Sequence, residues 1–251
     1  MPVESIHRGS DSRYVARVWR GRTSGAGTMT SVATSHWELV FWRDGATTHA
    51  AVRGPETVAT AARIAGESDS FGITFAHGVT MPHLPVSALV DGELESPHVA
   101  GGRFVLRGEE WPIPRADDAE AFVDRLVRAG VLVRDPLVED VVWGGVARVG
   151  TRSVQRRVAA STGLTQGTIR QIDRARTAAV LLREGAVPLD VVHALGYFDQ
   201  PHLARSLRRF IGRTATQLRA PREAAPSGHG GPGGTTHEMS LLYKPVEPSA
   251  S

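Results

Sequence analysis

The chain of 251 residues contains no cysteine, which removes disulfides, thiolate zinc sites, thiol-based redox sensing and any cysteine nucleophile. Lysine is nearly as scarce, Lys244 being the only one. Arginine richness therefore partly reflects a chain-wide bias, and only the sign of a regional charge is informative. No apolar run approaches the ~20 residues needed to cross a bilayer. Met1 to Ser31 also lacks the charged-then-apolar order of a signal segment. The expectation is a soluble, cytoplasmic protein with no membrane partner.

What is present is unevenly placed. The overall formal charge is +3, yet residues 147–219 hold 13 arginines against four acidic residues, a net of +9. Residues 1–146 carry a net of −5 and the segment after 219 a net of −1. Such asymmetry favours a nucleic-acid partner for one part of the chain only. Phosphate neutralisation there predicts a steep salt dependence of binding.

The most informative stretch is Leu189 to Arg219, LDVVHALGYFDQPHLARSLRRFIGRTATQLR. It predicts a short helix, a glycine turn and a second helix. Asp199 suits the N-cap of the second helix, and Pro201 falls in the first turn, where a missing N–H costs nothing. Leu203, Leu207 and Phe210 recur at i, i+4 and i+7 and make one apolar face. Gln200, His202, Arg205, Ser206, Arg208 and Arg209 are left on the other. Gln and Arg are the side chains that read adenine and guanine in a major groove; a merely solvated basic face is the competing reading of this one helix.

A similar helix is expected from Thr151 to about Ala159, with Val154 and Val158 inward and Arg152, Gln155, Arg156 and Arg157 outward. Thr162-Gly163 ends it and Thr165 suits the cap of the next helix. There Ile169, Ile172, Ala175, Ala179 and Leu182 fall every three or four residues until Gly185 stops it. Its roughly 19 residues span about 28 Å, against ~34 Å between successive major-groove faces. A rod of that length, with the bodies it separates, places two helices in adjacent grooves.

Gly196-Tyr197, Asp199, His202-Leu203, Arg205, Leu207-Arg208, Gly212, Thr214, Leu218 and Arg219 resemble the C-terminal signature of the AraC/XylS family of bacterial transcription regulators. That pattern runs G-F-x-D-x-S-x-F-x-R-x-F-[KR]-x-x-x-G-x-[TS]-P-x-x-[YLF]-R. Thr151 to Leu182 resembles the family's first recognition helix and the long helix between its two reading units, so the resemblance covers about Asp135 to Arg219. It implies an all-α domain of two helix-turn-helix units joined by a long helix. It also implies base reading by Arg152, Gln155, Arg156, Gln200, His202 and Arg205. Arg157, Arg208, Arg209 and Arg213 fall to phosphate, which positions without specifying. Zero cysteine separates the chain from DNA-repair relatives that carry a methyl-accepting thiol. Three positions depart from the pattern. The first unit has Val146-Ala147-Arg148-Val149-Gly150 where a glycine-containing tight turn is usual, after a helix from Pro136 to about Trp143 that ends in Gly144-Gly145. Thr214-Ala215 replaces Thr-Pro, and His193 replaces a small residue. These make the second unit the safer reader.

Residues 1–115 predict a compact antiparallel β domain, barrel-like in form. Trp37, Leu39 and Phe41 alternate, and Arg43-Asp44-Gly45 supplies a hairpin turn. Val58 to Ile64, Glu67 to Val79 and Gly102 to Ile113 add short β-leaning runs. The segment GITFAHGVTMPHLPVSALVD, from Gly72 to Asp91, is similar to one found in AraC-type sensor domains. By that resemblance this domain senses a small-molecule effector or makes a homodimer. A connecting helix is expected within 116–134, opened by a capping box at Asp117-Asp118-Ala119-Glu120 and stopped by Gly130.

Catalysis is not expected. His36, His49, His77, His83 and His98 show no metal-ligand spacing. Glu109 and Glu110 point to opposite faces of a strand. Trp19, Trp37, Trp42 and Trp111 are expected mainly as core, with a pocket lining as the alternative. No cofactor and no metal are expected. The segment 220–251 is rich in Gly, Pro, Ser and Ala and is expected to be disordered, with Met239 to Pro245 a short apolar exception.

The fold class expected is therefore α+β: domain 1–115, connecting helix 116–134, DNA-binding domain 135–219 and tail 220–251. The function expected is a sequence-specific, non-enzymatic transcription regulator acting on double-stranded DNA. Two alternatives stay open: a single-unit or architectural binder with a degenerate first unit, and a cupin-like small-molecule or metal enzyme with a vestigial DNA-binding domain.

Overall fold

The structure is a computed structural model and describes residues 3–64, 66–145 and 149–219. The turn expected at Val146-Ala147-Arg148 and the tail expected from Ala220 to Ser251 lie outside the described residues.

The architecture is α+β, with β structure first and helices later. Nine strands come before residue 96: β1 (Val3–Arg8), β2 (Val15–Ser24), β3 (Gly27–Ser31), β4 (Glu38–Asp44), β5 (Thr47–Arg53), β6 (Thr60–Ile64), β7 (Glu67–Phe75), β8 (Val79–Thr80) and β9 (Glu93–Glu95). Three short ones follow: β10 (Val99–Ala100), β11 (Arg103–Leu106) and β12 (Glu109–Pro112). Six of them make an antiparallel sheet in the order β1-β2-β7-β4-β5-β9.

That sheet is open, which corrects the expectation of a barrel. Its edges, β1 and β9, do not pair, and β9 is only three residues long and exposed. A barrel needs edge strands long enough to close the ladder. Here one face of the sheet is covered instead by the helix α1 (Ala119–Arg128), whose Phe122, Val123 and Leu126 join Leu39, Phe41, Ile73, Phe75 and Phe104 in one core. The expected alternation in β4 is also lost at its centre. Val40 is as buried as Leu39 and Phe41, because it packs with Trp19 on the sheet's other face. Gly72 allows this: a Cβ there would lie 2.4 Å from the Trp19 indole.

The hairpin turn forms at Gly45, with φ +57° between β4 and β5. The capping box does not form. A 3-10 turn, Ala116–Asp118, precedes α1, and Asp118 makes no side-chain cap bond. The Glu120 carboxylate is drawn away to the Arg8 guanidinium, which also donates to the Ala116 carbonyl oxygen at 2.7 Å. A two-residue strand β13 (Val133–Arg134) pairs with β8 and leads into the helical part.

The helices are α2 (Pro136–Val142), α3 (Thr151–Thr162), α4 (Gln166–Arg183), α5 (Pro188–Ala194), α6 (Gln200–Phe210) and α7 (Ala215–Arg219). A second core runs through them, built on Val158, Ile169, Ile172, Ala175, Ala179, Leu182, Leu203 and Leu207. Val32 and Ala33, from the loop after β3, belong to this core as well. The two parts are stitched by backbone hydrogen bonds: Asp135 N–H to Gly78 at 2.9 Å, Ala33 N–H to Phe210 at 2.8 Å and Ala59 N–H to Arg209 at 2.7 Å. The segment from Gly72 to Asp91 contributes to this seam, since Ser87 and Val90 lie against Gly163 at the end of α3.

Candidate nucleic-acid interface

Helix α6 begins where its sequence says it should. The Asp199 carboxylate accepts from the His202 N–H at 2.6 Å, and Pro201 occupies the first turn. Leu203, Leu207 and Phe210 are buried, whereas Gln200, Arg205, Arg208 and Arg209 are exposed. Ser206, expected on the polar side, is instead buried and bonds the Tyr197 hydroxyl at 3.2 Å. His202 is half-buried at the edge of the exposed face, its ring edge-on to Tyr197 at 5.3 Å. Arg213 is half-buried beyond the helix end.

Helix α3 repeats the pattern with a weaker start. Gly150 is its N-cap and offers no side chain. Val154 and Val158 are buried; Arg152, Gln155 and Arg156 are exposed. Arg157 lies on the flank and is already committed. Its Nε and Nη2 donate to the two Asp135 carboxylate oxygens, each at 2.6 Å. Asp135 also caps α2 through the Leu137 N–H. A fork held by two short charge-assisted bonds is a structural strut.

Between these helices α4 runs for 18 residues, about 27 Å at the standard rise. Thr165 caps it by accepting from the Thr168 N–H at 3.1 Å, and Gly185, at φ +97°, ends it. Gly163 ends α3 in the left-handed region at φ +69°.

The electrostatics of both exposed faces are one-signed. No carboxylate occurs from Gly150 to Ile172, nor from Gln200 to Arg219. Exposed guanidinium groups on α3 and α6 therefore have no acidic neighbour on their own helix.

Two exposed aromatic residues were not singled out by sequence reasoning. Phe198, in the turn before Asp199, is 90% exposed. Its only sequence signal is that it falls outside the three-or-four spacing of its neighbours. Trp143, at the end of α2, is 56% exposed and sits 6.2 Å from the His77 ring.

The four tryptophans considered as pocket lining are packed elsewhere. Trp37 Nε1 donates to the Val79 carbonyl oxygen, Trp19 Nε1 to Glu38, Trp42 stacks on His49, and Trp111 packs on the sheet core. Among the described residues, no three His, Asp or Glu side chains lie together as a metal site would require. No described helix is long and apolar enough to cross a membrane.

Comparison with family models, with curated proteins and with solved structures finds no match to this chain.

Proposed function

We propose that this chain is a sequence-specific regulator of transcription that binds double-stranded DNA, of the AraC/XylS type and without enzymatic activity. In this reading α2–α3 and α5–α6 are two helix-turn-helix units and α4 is the rod between them. The observation that carries it is the pair of one-signed faces on α3 and α6. Each helix is buried on its opposite flank and offers exposed Arg and Gln with no carboxylate on the helix itself.

Arg205 and Gln200 lead base reading from α6, and Arg152, Gln155 and Arg156 from α3. His202, at the edge of the α6 face, reads a base beside them. Arg208, Arg209 and Arg213 contact phosphate. Arg157 is withdrawn from that set because Asp135 holds it. Phe198 adds an apolar contact at the mouth of the groove, where a thymine methyl is the natural partner.

A second reading, in which only the α6 unit specifies sequence, is favoured by two differences. The start of α3 lacks a side-chain cap, and one of its arginines is tied into the fold.

Selection of bound sequences from a random duplex pool at near-physiological salt tests both. Two half-sites about one helical turn apart support the two-unit reading. One short half-site supports the single-unit reading, and no enrichment overturns both.

A further inference from the structure

The last turn of α6 is tied to a β-ribbon from the other part of the molecule. Strands β3 and β6 form a two-stranded antiparallel sheet of their own, with Gly27 opposite Ile64 and Ser31 opposite Thr60. β3 leads into Ala33, whose N–H donates to the Phe210 carbonyl oxygen at 2.8 Å. β6 follows Ala59, whose N–H donates to the Arg209 carbonyl oxygen at 2.7 Å. The ribbon therefore starts at the C-terminal end of the helix assigned to base reading.

Its two faces differ. Directly opposed residues of an antiparallel pair share a face, and successive residues alternate. Met29 and Ala62 share one face, where Met29 packs on the Trp19 and Val40 cluster, on the side of the large sheet away from α1. Thr28, Thr30, Ala61 and Arg63 share the other. Thr30 meets the end of α6, since a Cβ on Gly212 would lie 2.9 Å from its Cγ2. Thr28, Ala61 and Arg63 are exposed.

Arg63 makes no ion pair and no side-chain hydrogen bond among the described residues. Arg22 and Arg43, by contrast, share Asp69, and Arg53 is held by Glu38 and Glu93. The acidic groups nearest in the chain are placed elsewhere. Glu56 accepts from Ser31 on the ribbon's opposite face, Asp91 accepts from Thr57, and Glu67 stands opposite Ser24 in the large sheet.

Arg63 lies four residues past Ala59, about 13 Å along the strand. That is the axial length of about four base pairs. A guanidinium at this point extends the basic surface of α6 outward from Arg208 and Arg209, which are also exposed.

We propose that the β3–β6 ribbon is a second DNA contact, in which Arg63, beside the Thr28 hydroxyl, binds a backbone phosphate outside the groove read by α6. The proposal rests on the DNA-binding reading and adds to it a contact from the β-rich part, whose net charge is negative. Such a contact lengthens the footprint and positions α6 without reading sequence.

The test is the salt dependence of binding by the full chain to a selected duplex with long flanks, and to a random duplex of equal length. Arg63→Ala should weaken both several-fold and alike, and reduce the salt slope by about 1. Its melting temperature should not move, because the side chain is exposed. Arg63→Lys should keep the slope, since a phosphate accepts a point charge. Trimming the flanks to the edges of the selected site should remove the difference between wild type and Arg63→Ala. Arg128→Ala removes the same charge from an exposed position at the end of α1, on the far side of the sheet, and should leave the slope unchanged. An unchanged slope for Arg63→Ala, or an equal effect of Arg128→Ala, would overturn the ribbon contact and leave the helix faces standing. Failure of the wild-type chain to bind any duplex would overturn both.

Discussion

The Ala33 backbone N–H donates to the Phe210 carbonyl oxygen at 2.8 Å, so the β-rich part satisfies one of the last carbonyls of α6. Ala59 does the same for Arg209 at 2.7 Å. Helix ends leave their final carbonyls without intrahelical partners, and here residues 150 or more positions earlier in the chain supply the donors. The orientation of α6 is therefore set by the sheet side of the molecule as well as by its own packing.

Gly212 tests that seam. Its φ is +72°, and a Cβ there would lie 2.9 Å from Thr30 Cγ2 and 3.2 Å from Ala59 Cβ. Gly212→Ala should cost about 1–2 kcal/mol from the left-handed backbone alone, read as a lower urea midpoint. An unchanged midpoint would show that neither the left-handed backbone at Gly212 nor the close approach of Thr30 and Ala59 is as described.

Asp199 carries the start of α6 through its bond to the His202 N–H at 2.6 Å. Asp199→Ala should destabilise the chain by about 1 kcal/mol, and Asp199→Ser should recover most of that. Both are read by chemical denaturation without DNA.

Arg205 and Arg208 are both exposed on α6 but are assigned different work. Arg205→Ala should cost ~1–3 kcal/mol at a selected site and relax specificity there; Arg208→Ala should weaken all sequences alike and reduce the salt slope by about 1. Equal losses for Arg205→Ala on selected and random duplexes would reassign it to phosphate.

Arg157 makes the opposite prediction, because its bond partner is Asp135. Arg157→Ala should lower the melting temperature and leave the salt slope of DNA binding unchanged. A reduced slope with unchanged stability would return Arg157 to the phosphate contacts.

The stacked histidines predict acid sensitivity. Burial holds His77 down to about 4, and burial, then the neighbouring His77 and Arg17, hold His36 well below its ordinary value. Arg17, Arg176 and Asp173 are the charged groups around the pair. From about pH 6.5 down to 4 the unfolded chain binds protons that the folded chain refuses, so stability falls with pH. Asp173 opposes this, since burial raises its carboxyl to about 6 and the fold takes up that proton first. Two imidazoles outweigh one carboxyl, so the urea midpoint should drop between pH 7 and pH 5. His77→Gln should flatten the dependence and Asp173→Asn should steepen it; the reverse order would place the titrating groups elsewhere.

Much of the helical part was legible in the residues themselves. The caps at Thr165 and Asp199, the stops at Gly130, Gly163 and Gly185, and the inward faces of α3, α4 and α6 all follow from neighbours within about four positions. Hairpin β4–β5 was legible for the same reason. The capping box expected at Asp117-Asp118-Ala119-Glu120 does not form because Arg8, more than a hundred positions away, holds the Glu120 carboxylate. The place of Arg63 was not legible at all: it shares no spacing with Arg208 and Arg209, and only the fold ties its ribbon to the end of α6.

The sequence by itself determined where helices start and stop, which faces they bury, and that positive charge gathers after residue 147. Those properties depend on local backbone preference and on the 3.6-residue period, both written in adjacent residues. Tertiary structure alone decided that the sheet stays open, that Arg157 serves Asp135, that Ser206 turns in to Tyr197, and that the β3–β6 ribbon meets the end of α6. Each of these depends on which distant groups meet, and a periodic pattern carries no record of a partner outside its own helix or strand.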